Sequence, residues 1–347
     1  MRMARIERVS GSGRWRMLRA GAAALAAVGV VGAVPPAVAS ASPQQALDWT
    51  KQAPATSPSA RVGTSMAYDT ATGTVVLFGG SSDNSGSSNF SDTWTWDGTT
   101  WTRHVVAVHP SPRSDAVMAY DAANGTVVLF GGGDLNDTWA WDGTTWTEQH
   151  PATSPPARAF GASMAYDAAT GTVVLFGGDS GHGQLNDTWT WDGTTWTEQH
   201  PATSPSARYG ASMAYDAATG TVVLFGGWGG GILNDTWTWD GTTWTKEAPA
   251  AHPAARTLAY MAYDAATSTV VLFGGTDGTG TCQQGSTWTW DGTTWTNQAP
   301  ATSPTARAEG AMAYDAATGT AVLFGGFSRT TRCTGPDQYW QQTWTWG

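Results

Sequence analysis

The stretch TVVLFGG, Thr172 to Gly178, decides the fold. Its apolar run and glycine pair return along the chain, once as AVLFGG, with the first glycine at Gly79, Gly131, Gly177, Gly226, Gly274 and Gly325. Neighbouring copies lie 46 to 52 residues apart, so residues 47–347 are six copies of one unit. A period of this size belongs to architectures built by repeating one supersecondary element.

Each unit reads as four short strands. In the third they are ASMAYD (Ala162 to Asp167), TVVLFGG, DTWTWDG (Asp187 to Gly193) and TTWTEQ (Thr194 to Gln199). DAATGT joins the first two, with a glycine suited to positive φ. Asp-Gly between the last two is a hairpin signal. In the third strand Trp189 and Trp191 share one face, and Thr188 and Thr190 the other. The second strand is apolar on both faces, so it is expected to be buried from both sides. A sheet buried on both faces needs a sheet on either side, and radial repetition supplies both. The expectation is an all-β, six-bladed propeller with four antiparallel strands per blade. The large Trp face of one blade would pack on the small Thr face of the next. A solenoid would require a dedicated cap at each end, and none is evident. The last unit reaches TWTWG, Thr343 to Gly347, without a fourth strand. Leu47 to Pro54, LDWTKQAP, matches Thr293 to Pro300, TTWTNQAP, and is expected to supply that strand and close the ring.

The Tyr-Asp ending the first strand, the Gly-Gly after the second and the tryptophan pair in the third resemble the kelch repeat. The resemblance spans Leu47 to Gly347, and one departure from the common pattern is the doubled TWTW. It implies a kelch propeller, a fold that serves both binding proteins and enzymes. It also implies a layout. Strand one lies at the axis and strand four at the rim. The near-identical DAATGT and WDGTTW turns share one face, and the second-to-third connections lie on the other. Those connections differ in length: 11 residues in Ser81–Ser91, 4 in Gly133–Asn136, 8 in Asp179–Asn186, 7 in Trp228–Asn234, 11 in Thr276–Ser286 and 16 in Phe327–Gln342. Variable loops on a rigid scaffold are the expected place for binding.

Candidate residues follow from that face. Every unit has an arginine ahead of strand one: Arg61, Arg113, Arg158, Arg208, Arg256 and Arg307. Arginines so placed bind acidic ligands in some kelch domains, so the resemblance implies a ring for carboxylates or other anions. The competing role is pairing with Asp92, Asp137, Asp187 and Asp235. Two residues after the arginine, Asp115 and Glu309 are the only carboxylates and are candidate acid–base groups. Lying two blades apart, they are expected to stay separate, as solvated carboxylates. Trp228, Phe327, Tyr339 and Trp340, with Phe90, occupy the variable loops, either to stack on a ligand or to fold back over the loops. Cys282 and Cys333 fall in the loops of adjacent blades and suit a disulfide. His109, His150, His200 and His252 precede prolines, one per blade, and gather no metal set. Copper radical oxidases share the kelch propeller, but their ligand pattern finds no match here, and no cofactor is expected.

Residues 1–39 read as a signal peptide. Arg2, Arg5, Arg8, Arg14, Arg16 and Arg19 precede an apolar run, Ala20 to Val34, and Ala37-Val38-Ala39 forms an A-x-A cleavage site. Residues 40–46 follow as a short linker. The run is shorter than the roughly 20 residues of a membrane span, so no span is expected after cleavage. The whole chain carries a net charge of −10. Without the six arginines and Glu7 of the leader, 11 basic and 26 acidic side chains remain. That balance repels phosphate backbones and excludes nucleic acid as a partner. The expectation is a secreted, extracellular, monomeric, non-catalytic module that binds a carbohydrate or an extracellular protein. An enzyme acting on a sugar, of the kind kelch-type sialic acid epimerases represent, is the alternative reading. A purely structural scaffold is a third.

Overall fold

The computed structural model describes residues 47–83, 87–277, 283–329 and 336–347. These residues form six antiparallel sheets and no helix. Blade three is representative: Ser163–Asp167, Thr172–Asp179, Gln184–Trp191 and Trp196–Gln199 lie side by side in chain order. Asp167 pairs with Thr172, Val173 with Trp191, and Trp191 with Trp196. The turns are set by aspartate. Gly171 N–H returns to Asp167 O at 2.9 Å. Asp192 Oδ1 accepts the N–H groups of Thr194 and Thr195 at 2.8 and 2.7 Å. A side chain that satisfies its own turn makes the hairpin local and cheap to form.

The last blade is closed by the other end of the chain, as the sequence predicts. Ala308–Asp315, Thr320–Arg329 and Thr343–Trp346 are followed in the sheet by Trp49–Lys51. Trp49 stands opposite Trp346, and Lys51 opposite Trp344. This sheet has one extra strand, Asp337–Tyr339, paired to the extended end of Thr320–Arg329.

The core is not central. It lies in the clefts between blades, where the second strands are sealed on both faces: Val173, Val174 and Leu175 are all fully buried. Each cleft repeats one contact. The tryptophan opening strand four reaches into the preceding blade and donates its indole N–H to the threonine just before the tryptophan pair of strand three there. Trp101 donates to Thr343, Trp146 to Thr93, Trp196 to Thr138, Trp244 to Thr188, Trp295 to Thr236 and Trp49 to Thr287, all at 2.8–2.9 Å. The same ring packs on the preceding blade's strand-two phenylalanine, 5.2–5.3 Å between centroids, from Trp196 on Phe130 round to Trp49 on Phe273. The threonine side of the packing is thus as expected, but the tryptophan that meets it comes from strand four.

The repeated turns also pack blade on blade. A Cβ at Gly241 would lie 2.5 Å from Thr170 Cγ2 of the preceding blade, so the Asp-Gly hairpin nests on the DAATGT turn. The two repeated turns therefore share one face.

If closure uses the same contact as every other cleft, removing it should cost the same. Trp49→Ala and Trp101→Ala should each destabilise the propeller by about 3–5 kcal/mol in denaturant unfolding. A Trp49→Ala cost below a third of the Trp101→Ala cost would show that the ring does not depend on its seam.

Candidate functional site

Strand one of every blade faces the axis, and its methionine (Met66, Met118, Met164, Met213, Met261 or Met312) lines an axial channel of about 160 Å³. Toward the variable loops the channel passes a neck of about 150 Å³ and opens into a mouth of about 410 Å³. Ser81 and Asp83 of a second-to-third loop line the mouth together with the segments that precede strand one.

The neck is set by backbone. Two residues ahead of strand one in blades one to five, and at its second residue in blade six, Gly63, Asp115, Gly161, Gly210, Leu258 and Glu309 all have left-handed conformations, with φ between 58° and 70°. Their peptide groups link blade to blade: Gly63 N–H donates to Glu309 O, Asp115 to Gly63, Gly210 to Gly161, Leu258 to Gly210 and Glu309 to Leu258. Glycine adopts this conformation freely. Leucine and glutamate pay about 1–2 kcal/mol each for it, so two of the six positions keep a side chain at the mouth against a local cost, and Asp115 is a third departure from glycine. Costs of that kind concentrate at functional sites.

The two carboxylates that the sequence sets apart are brought together. Asp115 and Glu309 flank Gly63 and line both mouth and neck. Burial pushes the Asp115 carboxyl up to about 6, with Ser114 opposing through a hydrogen bond. Burial pushes Glu309 further, to about 8, and the Asp115 charge adds to it. They are therefore not solvated, independent carboxylates. The ring closure makes neighbours of blades six, one and two, a contact that chain separation conceals.

The mouth also holds two residues that the sequence reading passed over, Phe160 and Tyr209. Phe160 and Tyr209 meet edge to face at 4.8 Å, and Leu258 adjoins them. Phe160 is 38% exposed, unusual for a phenylalanine here. It comes from an insertion: four residues separate Arg158 from Ser163, where three separate Arg61 from Ser65. Aligning the units residue by residue would have shown it.

The six arginines do not form an open ring. All are 0–2% exposed. Arg208 is typical. It clamps Asp235 through two N–H groups at 2.6 and 3.0 Å, and donates to Gly226 O and Ser206 O at 2.9 Å. Burial alone would raise Asp235, but Arg208's hydrogen bond and charge hold it below the usual carboxylate range. Arg61 and Arg113 do the same with Asp92 and Asp137. Arg158, displaced by the insertion, keeps one bond to Asp187. Arg256 meets Ser286, and Arg307 meets Gln342 at 2.8 Å. An external anion would have to displace these partners, so the expected anion ring is corrected to a structural clamp. It braces the Gly-Gly turn of the same blade, where a Cβ on Gly226 would sit 2.5 Å from Arg256 O of the next.

The loop aromatics fold back for the most part. Phe327 is buried at 5% exposure and packs on Tyr339. Trp340 lies over the Arg307 guanidinium at 4.8 Å and donates to Ser328. Phe90 covers Arg61 at 4.3 Å. Trp228 is half-buried, bridged to Tyr209 and Ile232. Cys282 and Cys333 lie outside the described residues. Among the described residues no group of three or more His, Cys, Asp or Glu side chains gathers as a metal set.

The repeat and its six-bladed ring can now be set against known families. A family model, the KLHDC2/KLHL20/DRC7 Kelch-repeats domain, matches residues 135–255, from the third strand of blade two to the segment before blade five. The remaining blades repeat the matched unit in sequence and structure. The chain is a kelch-repeat propeller. A search of the curated proteins finds no match. Kelch propellers generally mediate protein interactions, and the kelch fold points to a protein-binding module.

The raised carboxyl at Glu309 has a stability signature. In the unfolded chain it ionises near 4.5, in the propeller near 8. Between those values the folded state must hold a proton that the unfolded state has released, so the group disfavours folding increasingly as pH rises through this window. Glu309→Gln removes the titration. Its stability relative to the parent should rise from pH 4.5 to 8 and then level off in paired urea titrations. A gap that does not change with pH would show that Glu309 ionises normally.

Proposed function

We propose that this kelch propeller is an exported protein-binding module whose ligand enters the axial mouth on the variable-loop face. The observation that carries this reading is the concentration of departures from the repeat at one place. Asp115, Leu258 and Glu309 stand where the other three units carry glycine, Phe160 and Tyr209 stand at a position that no two units fill alike, and all five line the same cavity. A scaffold position is filled alike in every blade, as the buried arginines and the Trp–Thr pairs are. The left-handed conformation itself needs no side chain, since glycine adopts it in blades one, three and four. A cavity of about 410 Å³ with mixed polar and apolar walls has the size and character of a ligand site.

The test is binding that depends on the mouth. On an array of extracellular proteins and glycans, a ligand of the propeller should lose at least about tenfold in affinity with Phe160→Ala or Leu258→Gly. It should be unchanged by Thr194→Ala on the opposite face. A ligand that answers to the Thr194 face and not to the mouth would overturn the reading. Capture of glycans alone would move the ligand class from protein to carbohydrate.

Export is proposed from residues 1–39, whose basic, apolar and small-residue segments have the order of a secretory leader. Expressed in a secreting host, the chain should appear in the medium with Ser40 at its N-terminus, read by intact mass. Recovery of the protein only inside the cell, with residue 1 retained, would refute this.

A further inference from the structure

The mouth also carries information on what enters it. Its lining has three carboxylates, Asp83, Asp115 and Glu309, and neither lysine nor arginine. The nearby arginines of blades one and two are clamped on Asp92 and Asp137 behind the wall. Opposite the carboxylates stand the Phe160 and Tyr209 rings and the Leu258 side chain, an apolar wall within the same cavity. One end of the cavity is anionic and the other is hydrophobic.

Glu309 is the residue that points to a ligand. It lines the cavity half-buried; desolvation and repulsion from Asp115 and Asp337 act against its charge, attraction to Arg329 acts for it, and no described residue hydrogen-bonds its carboxyl. Arg329 is itself ion-paired to Asp337 at 2.8 Å. A buried carboxylate without a hydrogen-bonding partner is unfavourable, and a second one beside it makes matters worse.

Resting on the reading that the mouth is the ligand site, we propose that it receives an organic cation on an aliphatic stem, the group that a lysine or arginine side chain of a protein partner presents. The ammonium or guanidinium would sit between Asp115 and Glu309, supply Glu309 with the donor it lacks and add to the one Ser114 gives Asp115. The stem would lie along Leu258 and the Phe160–Tyr209 pair, whose rings also favour a cation nearby. A compact hydrated metal ion uses none of that apolar wall.

The free site answers its own charge with a proton, since Glu309 is protonated up to about pH 8 and Asp115 up to about 6. The groups that set this balance are Asp83 from blade one, Asp115 from blade two, Tyr209 from blade four, and Arg329 and Asp337 from blade six. A bound cation replaces the proton. Binding therefore releases protons, and affinity rises with pH through the window from 6 to 8.

Two probes separate charge from stem. N-Acetylcadaverine carries the lysine side chain's ammonium and methylenes, and N-pentylacetamide is its neutral counterpart. Capped Ala-Ala-Lys-Ala-Ala and the same peptide with norleucine place the group on a chain. Binding is followed by NMR titration, with folding of each variant checked by its melting temperature. The cationic probes should bind at pH ~8.5, weaken at least about tenfold at pH ~5.5, and be lost in Asp115→Asn/Glu309→Gln. Tighter binding of the lysine peptide than of the free amine identifies a protein-borne cation, and the reverse identifies a free amine, which overturns the protein source. Equal binding of the neutral probes, or cation binding that survives in the double variant, overturns the cation proposal. If that binding still falls in Phe160→Ala, the mouth remains the ligand site. Absence of binding by every probe overturns the cation proposal too, and leaves the mouth to be judged by the array.

Discussion

The structure depends on one buried contact made six times, the strand-four indole that bonds a threonine and packs on a phenylalanine of the preceding blade. Its hydrogen bond is worth about 0.5–1.5 kcal/mol net, and the aromatic contact adds a similar amount beyond the area it buries. Its directionality matters more than its energy. A blade can bury its second strand only between two neighbours, and the indole fixes the distance and tilt of one neighbour. The contact runs always from a blade to the one before it, so it must return on itself or leave a blade uncovered. Trp49 donating to Thr287 is that return.

Once the ring is closed, the two faces are under different constraints. On the repeated-turn face, hairpins nest on the turns of the preceding blade and must stay alike. On the other face the arginine clamp fixes each Gly-Gly turn from within, and the loops beyond it are free to differ. Blade three shows how the exchange works. One inserted residue costs Arg158 most of its hydrogen bonds, and in return Phe160 reaches the mouth. The fold tolerates it because Trp196 and Thr138 still hold the cleft.

Blades five and six replace the clamping aspartate with Ser286 and Gln342, and burial lowers both Arg256 and Arg307 to about 10. Arg307 is compensated by the Trp340 ring. The loop aromatics that looked like ligand contacts thus belong to the scaffold chemistry of these loops, where a π face takes part of the work a carboxylate does elsewhere.

Sequence alone determined the repeat, the four-stranded blade, the number of blades and the closure of the last by the first strand. Each is legible because β-alternation, turn chemistry and period are local properties written six times. It also presented the arginines and Asp115, Glu309, Phe327 and Trp340 as unusual or recurrent positions. It did not say which way they face. A buried arginine and a ring of open ones have the same spacing, and carboxylates from blades two and six are neighbours only after the circle closes. The mouth, with Phe160 and Tyr209 from blades three and four facing Glu309 from blade six, was decided by tertiary structure. Radial packing sets distance by angle around an axis, which separation along the chain does not encode.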